Sequence, residues 1–576
     1  MAQAIKRARR EASRKPGKRR LSANAFLVLI LGLPVFAGVA GVILPAFGYL
    51  PALGGLHLKL AHLTELAQQP HILRSALTGF FAGLITTFAA LAIVGGFVAG
   101  FAGTSVFTRI QHLVSPLLAV PHAAAAFALA FLVAPSGFLM RLISPELTGF
   151  TRPPDWLVPN DPYALSMIAG LVTKEVPFLF LVTLAALPQL AVSRAGQLTA
   201  ALGYGRISGF AVSLWPALYR QIRLPVFAVL VYSVSVVDVA MILGPQLPPT
   251  LPVRIAQWAA YHDPDQRFLA SAGALLQLAV VLAAMAVWIA LERLGKIALA
   301  RLTHSGRRLA RDGAVRVASA LAMTACAAVI FVGLGLLAIW SVAGLWPFPD
   351  ALPGQLTPET WLRTLPRLWA PLGTTIALAL SAASLALLST ILLLYRNGTA
   401  GGDRTPGHYR LLYLPLLVPE ISFVFGLQIL IVSAGFTPAF PSVFAIHFLF
   451  VLPYVLLSLS APWRELDPRF ETIAAGFGKS ALEILLTVRL PLLFRACLTA
   501  LAVGFSVSVS LYLPTLLIGG GRLTTITTEA VALASGGDRR VIGVYALLQA
   551  FLPFLAFLVA SLGPQLLFRN RRAMRT

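Results

Sequence analysis

Charge is scarce in this sequence. Only 11% of its residues are charged and 58% are hydrophobic, whereas about a quarter of a soluble domain is charged. Mean hydropathy is +0.83. No set of aqueous cores could hide that much apolar surface over 576 residues, so a soluble multi-domain protein is excluded and lipid must be the solvent for much of the chain. Cysteine is nearly missing too. Cys326 and Cys497 both fall in apolar runs, and two cysteines build neither a disulfide framework nor a zinc knuckle. They read as small buried hydrophobes. Acidic residues number 21 against 45 basic ones, a net charge of +24. Nucleic acid would attract such a surplus, but the basic residues sit in loops and ends between apolar blocks, the pattern of a membrane protein, and nucleic-acid binding is set aside. Period-2 alternation is missing, which argues against a β-barrel. No nucleophile elbow, zincin or dinucleotide fingerprint occurs, so catalysis by this chain is not expected.

What the sequence has is long apolar runs. Twelve are long enough to span a bilayer: roughly 23–49, 76–100, 113–135, 163–190, 224–246 and 268–291, then 317–345, 370–395, 411–433, 441–462, 492–517 and 543–568. The fold class is therefore all-α integral membrane, with about 12 helices. Residues 1–20 carry nine Lys/Arg and form a basic arm. The run that follows is too long for a signal-peptide core, so the arm is expected to stay cytoplasmic. With the N-terminus inside, 33 Lys/Arg fall on the cytoplasmic side and 11 outside, with Lys174 within a span. That bias sets the orientation, with both termini cytoplasmic; the chain is expected in a bacterial inner (plasma) membrane. Trp156, Trp346, Trp361, Trp369 and Trp463 lie near span edges, as interfacial anchors would. Arg9-Arg10 and the tail, 569–576, are suited to anionic membrane lipid.

The spans divide into two sets of six, 21–293 and 317–568, joined by a basic linker over 294–316. An even number of spans makes the halves parallel repeats. After the fourth span comes Gln197-Leu-Thr-Ala-Ala-Leu-Gly203, then Pro216; after the tenth comes Thr472-Ile-Ala-Ala-Gly-Phe-Gly478, then Pro491. Both landmarks recur at 275 residues. Pro177-Phe178 answers Pro453-Tyr454 at 276, and Ser233-Val-Ser-Val answers Ser506-Val-Ser-Val at 273. Each loop, 193–222 and 466–491, reads as a short small-residue helix, a glycine turn and a second helix stopped by proline. Thr199, Ala200, Ala201, Ala474 and Ala475 are small enough to admit another surface, and two such elbows suit a pair of cytosolic subunits.

Here the chain resembles the importer permeases of ABC transporters, whose hallmark is a cytoplasmic loop of EAA, three residues, Gly, nine residues and I-x-L-P. The second copy ends Val488-Arg-Leu-Pro491 and the first Ser213-Leu-Trp-Pro216; Gln197 and Thr472 stand where the hallmark has Glu, and Leu198 and Ile473 replace its first Ala. Except for the basic arm, the chain looks like the fused twelve-span group that includes thiamine and ferric-ion permeases. It is most similar to YnjC-type permeases, through Pro135-Ser-Gly-Phe138 and Gly536-Gly-Asp-Arg-Arg540. The resemblance implies a type I importer permease that binds two cytoplasmic ATPase subunits and receives solute from a periplasmic or extracellular binding protein. ATP would be bound by the partner, with no cofactor on this chain. The alternative is an ion-coupled secondary transporter of twelve spans, which would not need matching loops.

Several residues carry competing readings. Gly478-Lys479-Ser480 looks like the end of a phosphate loop, but the pattern needs glycine where Ile473 stands. Lys174, Glu175, Asp238 and Glu420 are ionisable residues within spans, which is costly and a default functional hint. Asp238 and Glu420 are candidates for the solute pathway, with Ser233 and Ser506. Alternating serines cannot share a helix face, so bonding back to helix carbonyls competes with facing solute, unless the helix breaks there. His57, His62, His71 and Glu65 match no metal spacing, and no metal site is expected.

Overall fold

The computed structural model describes residues 27–398, 412–437 and 439–567. The basic arm, the tail from 568 and residue 411, the first of the ninth predicted span, lie outside the described residues. Within the first half, apolar composition and length give α1 Leu33–Ala46, α2 Ile72–Phe101, α3 His122–Val133 and α4 Leu165–Ala186. The elbow then forms α5 Val192–Ala201 and α6 Arg206–Ser213, followed by α7 Trp215–Ser235, α8 Asp238–Leu243 and α9 Gln266–His304. The second half repeats the order: α10 Gly313–Val342, α11 Glu359–Gly398, α12 Glu420–Ser433 and α13 Phe440–Glu465. Its elbow is α14 Arg469–Gly476 and α15 Ala481–Ile484, continued by a π turn, Leu485–Arg489. Next come α16 Phe494–Ser510, α17 Leu513–Gly519 and α18 Arg539–Leu567. No strand occurs among the described residues.

Ten helices are long and apolar enough to cross a membrane, or eleven if the bent pair Ala481–Leu492 and Phe494–Ser510 counts as one span. Of the twelve predicted runs, the ninth and eleventh differ. α12 has 14 residues, about 21 Å at 1.5 Å per residue, short of a core of about 30 Å. The cause is Pro419, which lacks an N–H and pushes Val418 into extended backbone (ψ 133°). Pro121 does the same to Val120 (ψ 123°) in the first half. The fifth and eleventh runs are each two helices, broken after Ser235 and after Ser510.

The halves are clasped by exchange of their first helices. α1 packs on α12 of the second half, and α10 packs on α3 of the first. Glycine makes the first crossing possible: a Cβ on Gly38 or Gly426 would run into the partner helix's backbone carbonyl. At the reciprocal crossing a Cβ on Gly333 would strike Ala128. Phe36, Phe88, Leu321 and Leu388 face outward at 64–65% exposure, an apolar belt that only lipid can cover.

The two motifs Pro135-Ser-Gly-Phe138 and Gly536-Gly-Asp-Arg-Arg540 meet in space. The Ser136 carbonyl accepts Arg141 Nε at 3.0 Å and an Arg539 guanidinium N–H at 3.0 Å. Trp346 differs from the anchoring expected of it. It is buried, with the Arg141 guanidinium 4.9 Å from its ring centre. Trp463 is buried likewise beneath Arg489, at 4.2 Å.

Candidate functional site

The two elbows are built to one register. Gly203 and Gly478 hold φ of +81° and +78°, the left-handed region that glycine enters freely. Each closes a helix C-terminus in the same way. Tyr204 N–H donates to the Thr199 carbonyl at 3.0 Å and Gly203 N–H to Ala200 at 2.9 Å. In the second copy, Lys479 N–H donates to Ala474 at 3.3 Å and Gly478 N–H to Ala475 at 3.0 Å. This is the Schellman closure, which satisfies carbonyls that would otherwise be orphaned at the helix end.

The closure fixes what each first helix presents. Leu198 and Leu202 are 61% and 54% exposed; Ile473 and Phe477, 275 residues on, are 59% and 83% exposed. Spaced by four, each pair lies on one helical face. Arg194 and Arg469 extend both faces by one turn and are also exposed. Both elbows therefore offer an arginine and two apolar side chains in line. Gln197, Ala200, Ala201, Gly203, Thr472, Ala475 and Gly478 are exposed beside these faces, whereas Thr199 is half-buried and Ala474 buried within its elbow. The sequence reading passed over Leu202 and Phe477. The signal that would have found them was available: 275 relates them as it does the glycines.

The prolines mark the exits. Pro216 is the second residue of α7, where its missing N–H costs nothing, and the break falls at Leu214. Pro491 lies just before a 76° bend that separates Ala481–Leu492 from α16.

Support differs between the elbows. In the second, Ser480 and Glu483 form a capping box: Ser480 N–H donates to the Glu483 carboxylate at 2.6 Å, and Glu483 N–H to Ser480 Oγ at 3.3 Å. Arg489 pairs with Glu471 at 3.0 Å. In the first, Gly205 stands at the cap position and has no side chain to offer. There the Asp312 carboxylate accepts Ile207 N–H at 2.8 Å, and Ser208 Oγ donates to the Leu309 carbonyl at 3.0 Å.

Deeper in the bundle, the serines sit at the two helix breaks, with helix ends that align at 275, not 273. Ser233 therefore answers Ser508, and Ser235 answers Ser510. Ser235, Ser506 and Ser510 bond back to carbonyls one turn earlier. Ser508 Oγ meets His447 Nδ1 at 2.7 Å, while Ser233 Oγ is buried with no partner. Asp238 opens α8 immediately after its break and is 8% exposed. Glu420 opens α12 as His122 opens α3, each following its proline. His122 Nε2 is 3.1 Å from Glu175 Oε1. Asp238, Glu420 and Glu175 all come within electrostatic reach of Tyr232. Lys174 does not join them. Its ammonium donates to the Leu117 and Leu118 carbonyls at 3.0 and 3.2 Å, a structural task. His62 and Glu65 pair at 3.3 Å, and among the described residues no three His, Cys, Asp or Glu side chains gather to hold a metal.

Across 521 residues the chain is 30% identical to the inner membrane ABC transporter permease protein YnjC of Escherichia coli K12, covering 90% of this chain and 93% of the relative. The chain belongs to the ABC transporter permeases. A second permease of this kind, the spermidine/putrescine transport system permease protein PotC of Haemophilus influenzae, is 28% identical over 137 residues, covering 23% of this chain and 52% of the relative. No family model matches the chain. Both relatives are transport permeases, which makes this chain a membrane-embedded transport subunit and not an enzyme.

Proposed function

We propose that this permease forms the solute pathway of an ATP-driven importer and that its two elbows each dock one cytoplasmic ATPase subunit. The observation that carries this reading is the duplicated Arg-apolar-apolar face. An apolar pair held out by a rigid glycine turn gains free energy when a partner covers it. Two equivalent pairs fit two equivalent partners. ATP closes the motor dimer and draws the elbows together, and the halves rock between two packings about their exchanged helices. A binding protein outside the cytoplasm delivers the solute. Solute passes near the breaks at Ser235 and Ser510, with Asp238 and Glu420 facing it. Both termini and the linker lie on the cytoplasmic side.

The test is uptake into sealed vesicles holding the permease, its ATPase and its binding protein. The proposal expects uptake only when ATP and the ATPase are both present. Ion-gradient-driven uptake by the permease alone would establish a secondary transporter instead.

A further inference from the structure

Gly205 and Ser480 occupy the same place in the two elbows, 275 residues apart, each capping the second elbow helix. Ser480 performs the task with its own hydroxyl. At Gly205 there is no room for one: a Cβ there would lie 2.7 Å from the Leu309 carbonyl and 2.9 Å from Asp312 Oδ2. The space that a capping side chain would fill is taken by the linker between the halves. What the linker brings is a replacement cap, with the Asp312 carboxylate on Ile207 N–H at 2.8 Å and the Leu309 carbonyl on Ser208 Oγ. A carboxylate suits this position because it meets the positive end of α6. The linker also reaches the turn itself. Arg308 would lie 3.5 Å from a Cβ at Gly203, whereas a Cβ at Gly478 would meet nothing within 4 Å.

We infer that the linker is a working part of the first docking elbow, with Asp312 as the positioning residue that sets α6, so that the two ATPase positions on this chain are held by different means. This rests on the docking reading above. A linker that only tethered the halves would have no need to cap a helix 105 residues away. The second elbow, with no linker against it, keeps its own Ser480 cap.

The experiment uses the assembled permease–ATPase complex with a single introduced cysteine, Gln197→Cys or Thr472→Cys, cross-linked to the ATPase. Cys326 and Cys497 are both buried and do not compete. Asp312→Ala should lower cross-linking from position 197 by about fivefold, the size expected from loss of one cap, and leave position 472 unchanged. Asp312→Asn should restore most of the yield, because its amide oxygen still accepts from Ile207. Ser480→Ala should give the mirror image, a loss at position 472 alone. Equal yields at both positions in Asp312→Ala, whether both high or both reduced, would overturn the role given to the linker. Failure of either position to cross-link before any cap is changed would overturn the docking reading, and this inference with it.

Discussion

The first and second elbows share a turn, a face and a register, but not a support. The turn is closed twice by the same pair of backbone bonds around Gly203 and Gly478. The support is local at Ser480–Glu483 and borrowed from the linker at Asp312. Under the proposed docking, the difference separates what the task constrains from what it leaves free. The face recurs position for position, an arginine and two large apolar side chains in each half, while the means of holding it differs between the halves. A duplicated chain whose copies are joined can solve one half's capping with the linker, and this chain has done so.

The comparison can be broken most severely at the shared face. Leu202→Asp together with Phe477→Asp places a charge on each docking face, costing on the order of 2–4 kcal/mol per elbow. ATP-driven uptake should fall by more than about 100-fold, measured in the reconstituted vesicles, with expression of the permease unchanged.

Next in size is the clasp between halves. Gly426→Leu forces a side chain into the Gly38 carbonyl and should cost about 3 kcal/mol. Gly335→Leu, on α10 where a Cβ meets nothing within 4 Å, should be silent. Thermal unfolding in detergent compares the two.

The helix breaks give a smaller, sharper contrast. Asp238 opens α8, whereas the equivalent position in α17 is Leu513. Asp238→Asn should reduce uptake on the order of tenfold with ATPase binding intact, and Leu513→Asn should reduce it less. Equal effects would remove Asp238 from the pathway. The smallest effect expected is at the second cap: Ser480→Ala should speed amide hydrogen exchange at Glu483 by about fivefold and leave Ile207 unaffected.

How much of this was legible in the sequence depends on how local each cause is. Gly203 and Gly478 were readable because a left-handed turn singles out glycine, and Pro216 and Pro491 because proline punctuates helices whatever surrounds it. The break at Pro419 was present in the letters, but an apolar run of adequate length concealed it, and a short α12 emerged where a full span was predicted. The serines slipped by two residues because a period-2 motif matches itself at 273 as well as at 275; only the helix ends fix the register. Leu202 and Phe477 were invisible among so many apolar residues, since what sets them apart is exposure on short elbow helices outside the long spans. Asp312 could not be found at all by spacing. Its partner is 105 residues away, and only the fold brings them together.

The central claim is that each elbow holds one motor subunit, and native mass measurement of the purified permease–ATPase complex tests it most directly. The account predicts two ATPase copies per chain, one after Leu202→Asp or Phe477→Asp alone, and none after both. Two copies retained in the double variant would contradict it.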